Sequence, residues 1–407
     1  MMKYKPTNYI DEIDQLRGIA IMLTLLSHLA FMQATPSKAY LYVINNIAQF
    51  WGGVHLFFVV SGYVISRSFM QDFEQDHAPT RADFIKQWMK FYIRRFFRIV
   101  PTAITWIVTT LLLSYLFNRN GSFGPSHSIL IQALAASFFV YNAFTPWIAG
   151  AAFGVFWSLS FEEQFYLAFP LFSRNSEKFK LIALVAVIVF FTHIHRPANQ
   201  QLIMVSFPLD AICWGVLVAM AQRKGWLKGL EPIFLQNPWA CLFNLVFAVA
   251  VIIFSTIILR NFSFGTSVLE LSAAWLVFCA SFDKGYIGPV GAVGAVGAVG
   301  AVGAVFKSFG KVSFSLYCAH MPAFLLTREI LIPIGNTYKL SAEVLNWIAL
   351  PIATMLCTVF TILSVNLVER PTRRYGRRLT EDGFRDQCSL QTTRIAANDV
   401  NFSSNLQ

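Results

Sequence analysis

The sequence predicts an all-α polytopic membrane protein of about ten transmembrane helices with both termini in the cytoplasm, and three observations lead there. Apolar residues make up 56% of the 407 and charged residues only 13%, with a mean hydropathy of +0.55, a balance foreign to soluble domains of this size. Windows long enough to cross ~30 Å of hydrocarbon recur along the chain. The connecting segments then alternate between rich and poor in Lys and Arg, the pattern that keeps basic loops on the cytoplasmic side.

Taken in order, the windows lie near 14–33, 48–66, 99–117, 155–172, 180–195, 205–221, 239–259, 266–282, 312–331 and 346–367. With ten crossings, 26 of the 32 Lys and Arg face the cytoplasm. Two further apolar stretches, 129–145 and 288–305, are expected to be re-entrant or interfacial. Counting either one alone as a crossing would strand the later basic clusters outside.

The net charge of +11 follows from those basic loops, which meet anionic lipid headgroups, so the lipid bilayer is the expected partner and a nucleic acid is not. The six cysteines, at 213, 241, 279, 318, 357 and 388, are scattered without a CxxC or zinc spacing; they read as small apolar fillers, and no metal site is expected. A polar, charged N-terminus runs directly into the first helix, which would serve as a signal anchor.

One domain is expected over 1–379. Within it, 288–305 is a run of six tripeptides, GPV and then five GAV, read as a linker between helices 8 and 9; Gly and Ala would equally permit close helix packing. Residues 380–407 are polar and expected to form a disordered cytoplasmic tail.

Polar groups inside a membrane are costly and therefore candidates for function. In DQLRGIAIMLTLLSH, Arg17 and His28 stand 11 residues apart, which on a helix leaves them about 20° from alignment and ~16 Å apart along the axis. Asp14 lies one turn before Arg17, placed to hold its guanidinium. Histidine is the side chain best suited to accept a hydroxyl proton near neutral pH. The same spacing also fits an interfacial arginine and a packing histidine.

In KFYIRRFFRIVP, Lys90, Arg94, Arg95 and Arg98 gather before Pro101. Guanidinium forks suit phosphate oxygens, and topology anchoring accounts for the same residues. In WSLSFEEQFYLAFP, Glu162 and Glu163 point about 100° apart on a helix, so one of them at most is expected to face the interior. A solvated carboxylate at a helix start is the plain alternative. In VSFSLYCAHMP, Tyr317 and His320 share a face, as packing or site residues. No GxSxG, HxxxxD or HExxH occurs.

These pieces in this order resemble the acyltransferase-3 family of bacterial membrane acyltransferases, from about Tyr9 to Leu379. The marks are DQLRGIAIMLTLLSH, FFVVSGYVI, RRFFRIVP, WSLSFEEQFYLAFP, FPLDAICWGVLVA, KVSFSLYCAHMP and VERPTRRYGRRL. The resemblance implies a multi-pass enzyme of the bacterial cytoplasmic membrane. Such an enzyme takes an acyl group, acetyl above all, from cytoplasmic acyl-CoA and places it on a hydroxyl of an envelope polysaccharide, a lipopolysaccharide or a lipid-linked glycan, with no permanently bound cofactor.

It implies His28 as catalytic base, Arg17 as its partner and the Arg95–Arg98 pair, with Arg94, as a coenzyme A contact. Glu162 or Glu163, His320 and Glu369 sit on family motif positions. Two departures stand out. His55 occupies a position that is often acidic, so a local carboxylate is expected to be missing. A C-terminal SGNH-type domain is not expected, so delivery to the final acceptor would need a separate periplasmic partner. An exporter of acylated metabolites is the rival from another class, since mid-membrane polar residues also mark transport paths. N-acylation of an amino sugar would use the same residues.

Overall fold

The computed structural model describes residues 9–71, 81–148, 150–194, 207–288 and 297–381. Among them the chain forms thirteen α-helices and no strand. They are α1 Asp11–His28, α2 Lys38–Asn46, α3 Gly52–Gln71, α4 Arg81–Phe117, α5 Ser126–Ser137, α6 Tyr141–Ile148, α7 Phe156–Ser173, α8 Glu177–His193, α9 Leu209–Arg223, α10 Pro238–Ile258, α11 Gly265–Ala280, α12 Gly297–Tyr338 and α13 Ala342–Ser364. A π-helical segment, Val365–Glu369, follows. The chain divides into two compact units, one of Met1–Glu74 with Trp106–Thr361 and one of Gln75–Thr105 with Ile362–Gln407.

Among the described residues, four helical stretches are long and apolar enough to cross a membrane: Asp11–Met32, Phe84–Phe117, Pro238–Ile258 and Ala342–Glu381. The expected windows at α7, α8, α9 and α11 fold as helices of 15 to 18 residues, about 22–27 Å at the helical rise and so shorter than a full hydrocarbon core. The outward faces suit lipid. On α10, Trp239, Phe243, Val246 and Phe247 are exposed, while Ala248 and Ile252 are buried. Such a broad exposed apolar stripe belongs to a membrane protein and would be a liability in water. The helix starts where Asn237 accepts hydrogen bonds from the amides of Trp239 and Ala240, with Pro238 in the first turn.

The stretch 129–145 does not form one long helix. Phe139 takes a positive φ of 53°, which breaks it into α5 and α6, of 12 and 8 residues; both fall well short of the roughly 20 residues that span a bilayer. The break is fastened to α7. Gln164 donates to the carbonyl of Phe139 at 3.0 Å and exchanges amide hydrogen bonds with Asn142 at 2.9 and 3.0 Å. Backbone groups freed at such a break need partners inside the protein. Of the tripeptide run, residues 297–305 are the opening turns of α12, where the linker reading would have left them irregular. Alanine is the strongest helix former and the packing of α12 on α1 outweighs the poorer propensity of Gly and Val. The part of the run at 289–296 lies outside the described residues.

In the first unit α1 and α12 run side by side in the same direction. Asp11 pairs with Lys307 at 2.8 Å, and further along, Asp14 meets Gly310 and Gly18 meets Phe306. A Cβ on Gly18 would sit 1.9 Å from the carbonyl oxygen of Phe306, and one on Gly310 would sit 1.7 Å from that of Asp14. Only hydrogen fits there, so the two backbones touch. Ten residues beyond each glycine stands a histidine, His28 on α1 and His320 on α12. The helices leave their crossing with equal rise, about 15 Å, and carry the two rings to the same level.

Candidate active site

His28 is the last residue of α1 and His320 is fully buried in α12. Their ring centroids are 5.2 Å apart, and His320 Nε2 lies 3.3 Å from His28 Nδ1. The proton positions follow from the surrounding carbonyls, which only accept. His320 Nδ1 donates to the carbonyl of Tyr317 at 2.7 Å, so in the neutral ring its Nε2 is a lone pair. His28 Nδ1 donates to the carbonyl of Thr24 at 3.0 Å, so the base nitrogen of His28 is Nε2. The lone pair of His320 thus faces the Nδ1–H of His28, and a proton taken up at His28 Nε2 would be met on the far side of the ring by two acceptors. Fixing the tautomer of a base through its other nitrogen is the usual way of preparing one.

Arg17 and Asp14 form an ion pair at 3.3 Å near the other end of α1, and Asp14 also takes a hydrogen bond from the hydroxyl of Tyr9. Tyr317 is tied to α7: its hydroxyl lies 2.5 Å from that of Ser158 and donates to the carbonyl of Val155 at 3.0 Å. Of the two glutamates, Glu162 turns towards α3, where it accepts from the hydroxyl of Ser61 and, along its own helix, from Tyr166. Glu163 is also partly buried, with its Oε1 shielded from solvent.

The carboxylate expected to be missing near His55 is supplied from elsewhere. Glu270 of α11 lies 3.0 Å from His55 Nδ1, and both side chains are buried, at 0% and 2% exposure. Asp210 of α9 is buried as well. Sequence reasoning passed over Glu270 and Asp210 as site candidates, although each is a carboxylate in an apolar helix, which was the available signal.

The second unit holds the basic motifs. Arg94 Nε donates to Thr380 Oγ1 at 2.9 Å. The guanidinium of Arg95 lies 5.8 Å from the ring centroid of Phe91, a cation–π distance. Phe97 meets Tyr375 edge-on at 5.1 Å and lies against Gly376, whose missing Cβ would fall 2.6 Å from it. The stretches RRFFRIVP and VERPTRRYGRRL, far apart in the chain, therefore pack on one another and concentrate Arg94, Arg95, Arg98, Arg373 and Arg377 in one unit. Glu369 ends the π-helical segment and pairs with Arg373 at 3.1 Å.

With that geometry in view the class of protein can be stated: the chain belongs to the acyltransferase-3 family, whose profile, described as an acyltransferase domain, matches residues 10–365. It is similar to the peptidoglycan O-acetyltransferase OatA of Listeria monocytogenes, 24% identical over 93% of this chain and 58% of that protein. YrhL of Bacillus subtilis, provisionally named a peptidoglycan O-acetyltransferase, is 23% identical over 91% of this chain and 56% of its own length. A Staphylococcus aureus protein provisionally named an O-acetyltransferase is 23% identical over 92% and 59%. The chain thus spans somewhat more than half the length of these relatives. No solved structure matches it.

Proposed function

We propose that this protein is an O-acyltransferase of the bacterial cytoplasmic membrane that moves an acyl group, most simply acetyl, from cytoplasmic acyl-CoA to a hydroxyl of a cell-envelope polysaccharide or lipid-linked glycan. The observation that carries the proposal is the His28–His320 pair, in which hydrogen bonding at Nδ1 leaves His28 Nε2 as the basic nitrogen. In this reading the acceptor O–H gives its proton to His28 Nε2 as the oxygen attacks the thioester carbonyl. The C–S bond breaks and the proton passes from His28 to the departing thiolate. His320 and the Thr24 carbonyl hold the imidazolium while it exists.

Ten crossings with both termini inside would open the Arg17 end of α1 to the cytoplasm and set His28 deeper. The diphosphate and 3′-phosphate of coenzyme A would be taken by Arg94, Arg95 and Arg98, whose forked guanidinium groups match phosphate oxygens. Glu162, held between Ser61 and Tyr166, would be available to an acceptor hydroxyl. A separate periplasmic protein would complete delivery to the final acceptor. The names of the relatives make peptidoglycan the first acceptor to examine. The test is a comparison of O-acetyl signals in purified envelope glycans by NMR between a deletion strain and its parent. Loss of a defined O-acetyl resonance, restored by the wild-type gene and not by His28→Ala, is expected; identical spectra from both strains would contradict the proposal.

A further inference from the structure

Eight residues beyond His320 on the same helix stands Arg328, and the steps from His320 to Phe324 to Arg328 follow one i, i+4 ridge of α12. The rings of His320 and Phe324 meet edge-on at 5.7 Å, and Arg328 comes next, about 12 Å along the axis from His320. Its Nε is buried and has no hydrogen-bond partner among the described residues. The adjacent carboxylate does not serve it. Glu329 is committed to the 120–122 turn, accepting from the amide of Ser122 at 2.7 Å and from the amide and side chain of Asn120 at 3.0 and 2.9 Å. Leu325, Thr327 and Leu331, around Arg328 on the helix, are fully buried.

Arg328 as a whole is partly buried, so its charge keeps a route to a ligand, and a shielded Nε–H without an acceptor is costly until an anion with paired oxygens arrives to take it. We infer that Arg328 is an anion subsite for the acceptor, taking a carboxylate or phosphate group of the glycan while the hydroxyl to be acylated lies at His28. This rests on the acyl-transfer reading of the His28–His320 pair. The ridge then has a proton-accepting end and an anion-accepting end, separated by the apolar ring of Phe324, and it selects acceptors in which hydroxyl and anionic group are spaced accordingly. Neutral glycans are discriminated against because they offer the buried Nε–H no charged acceptor.

The experiment uses the full chain in nanodiscs of zwitterionic lipid and follows the Nε–H resonance of Arg328 in nitrogen-15 spectra, assigned by its disappearance in Arg328→Gln. Digalacturonate tests the carboxylate source, inorganic pyrophosphate the phosphate source, and digalactose serves as the neutral control. A saturable shift with either anion and none with digalactose is expected. In transfer assays Arg328→Gln should raise the KM for the glycan about tenfold with the KM for acetyl-CoA little changed, and Arg328→Lys should recover part of the loss. No shift with either anion, or a shift only when phosphatidylglycerol replaces the zwitterionic lipid, overturns the subsite, the second result assigning Arg328 to a headgroup. The spectra do not depend on turnover, so a wild-type protein that bound the anions yet released no coenzyme A would sink the acyl-transfer reading separately.

Discussion

His320 turns its Nε2 towards Nδ1 of His28 at 3.3 Å, across 292 residues of sequence. Removing His320 should leave His28, the proposed base, in place with its Nδ1 held by Thr24 and Ser27. His320→Ala is expected to lower kcat by roughly 10²-fold, the scale of a misplaced catalytic group, with the KM for acyl-CoA little changed. A change in KM alone would assign His320 to binding.

The crossing of α1 and α12 is the second point of test. Gly310→Ala places a methyl where the Asp14 carbonyl already lies, so the helices must part and the two histidines with them. A loss of about 1–3 kcal/mol, typical of overpacking, should accompany a fall in activity, measured by detergent unfolding and coenzyme A release. Unchanged unfolding would show that the helices are not in backbone contact.

The His55–Glu270 pair allows a double-substitution test. Replacing His55 by Leu removes the 3.0 Å partner of a fully buried carboxylate and should cost about 3 kcal/mol, as breaking buried pairs does. The combined change of both residues to Leu should recover most of that loss. Equal damage from the single and double variants would mean that the two groups are not coupled.

On the loop side, hydrogen bonds from Lys284 and Tyr286 hold the Glu231 carboxylate below the usual range. A carboxylate whose value is depressed on folding stabilises the protein above its unfolded value, and the effect fades as pH falls through the folded one. Glu231→Gln should therefore unfold more easily than wild type at neutral pH and converge with it in acid. Curves that diverge as pH falls would contradict the sign.

Reporter fusions after Gly121 and after Gln222 test the proposed ten-crossing topology, with an outside signal expected at the first and an inside signal at the second.

What the sequence made legible was local. Asp14, Arg17 and His28 sit on one helix, so their register follows from a fixed rise and turn. The break at Phe139 and the meeting of His28 with His320 were not legible in the same way. The second depends on a backbone contact at Gly18 and Gly310 between segments nearly 300 residues apart, and nothing in the spacing of either segment names its partner. Glu270 could be seen as a carboxylate in an apolar helix, but its pairing with His55 could not, because it arises from how α11 packs on α3. The convergence of the two arginine-rich stretches rests on Gly376 admitting Phe97. The lengths of α7, α8, α9 and α11 were not legible either, because hydropathy windows blur the ends of helices.

The most direct measurement is release of coenzyme A thiol from acetyl-CoA by the purified protein in detergent with isolated envelope glycan. With His28→Ala the rate should fall by about 10²–10⁴-fold, the contribution of a positioned general base. Release at the wild-type rate from that variant would contradict the account.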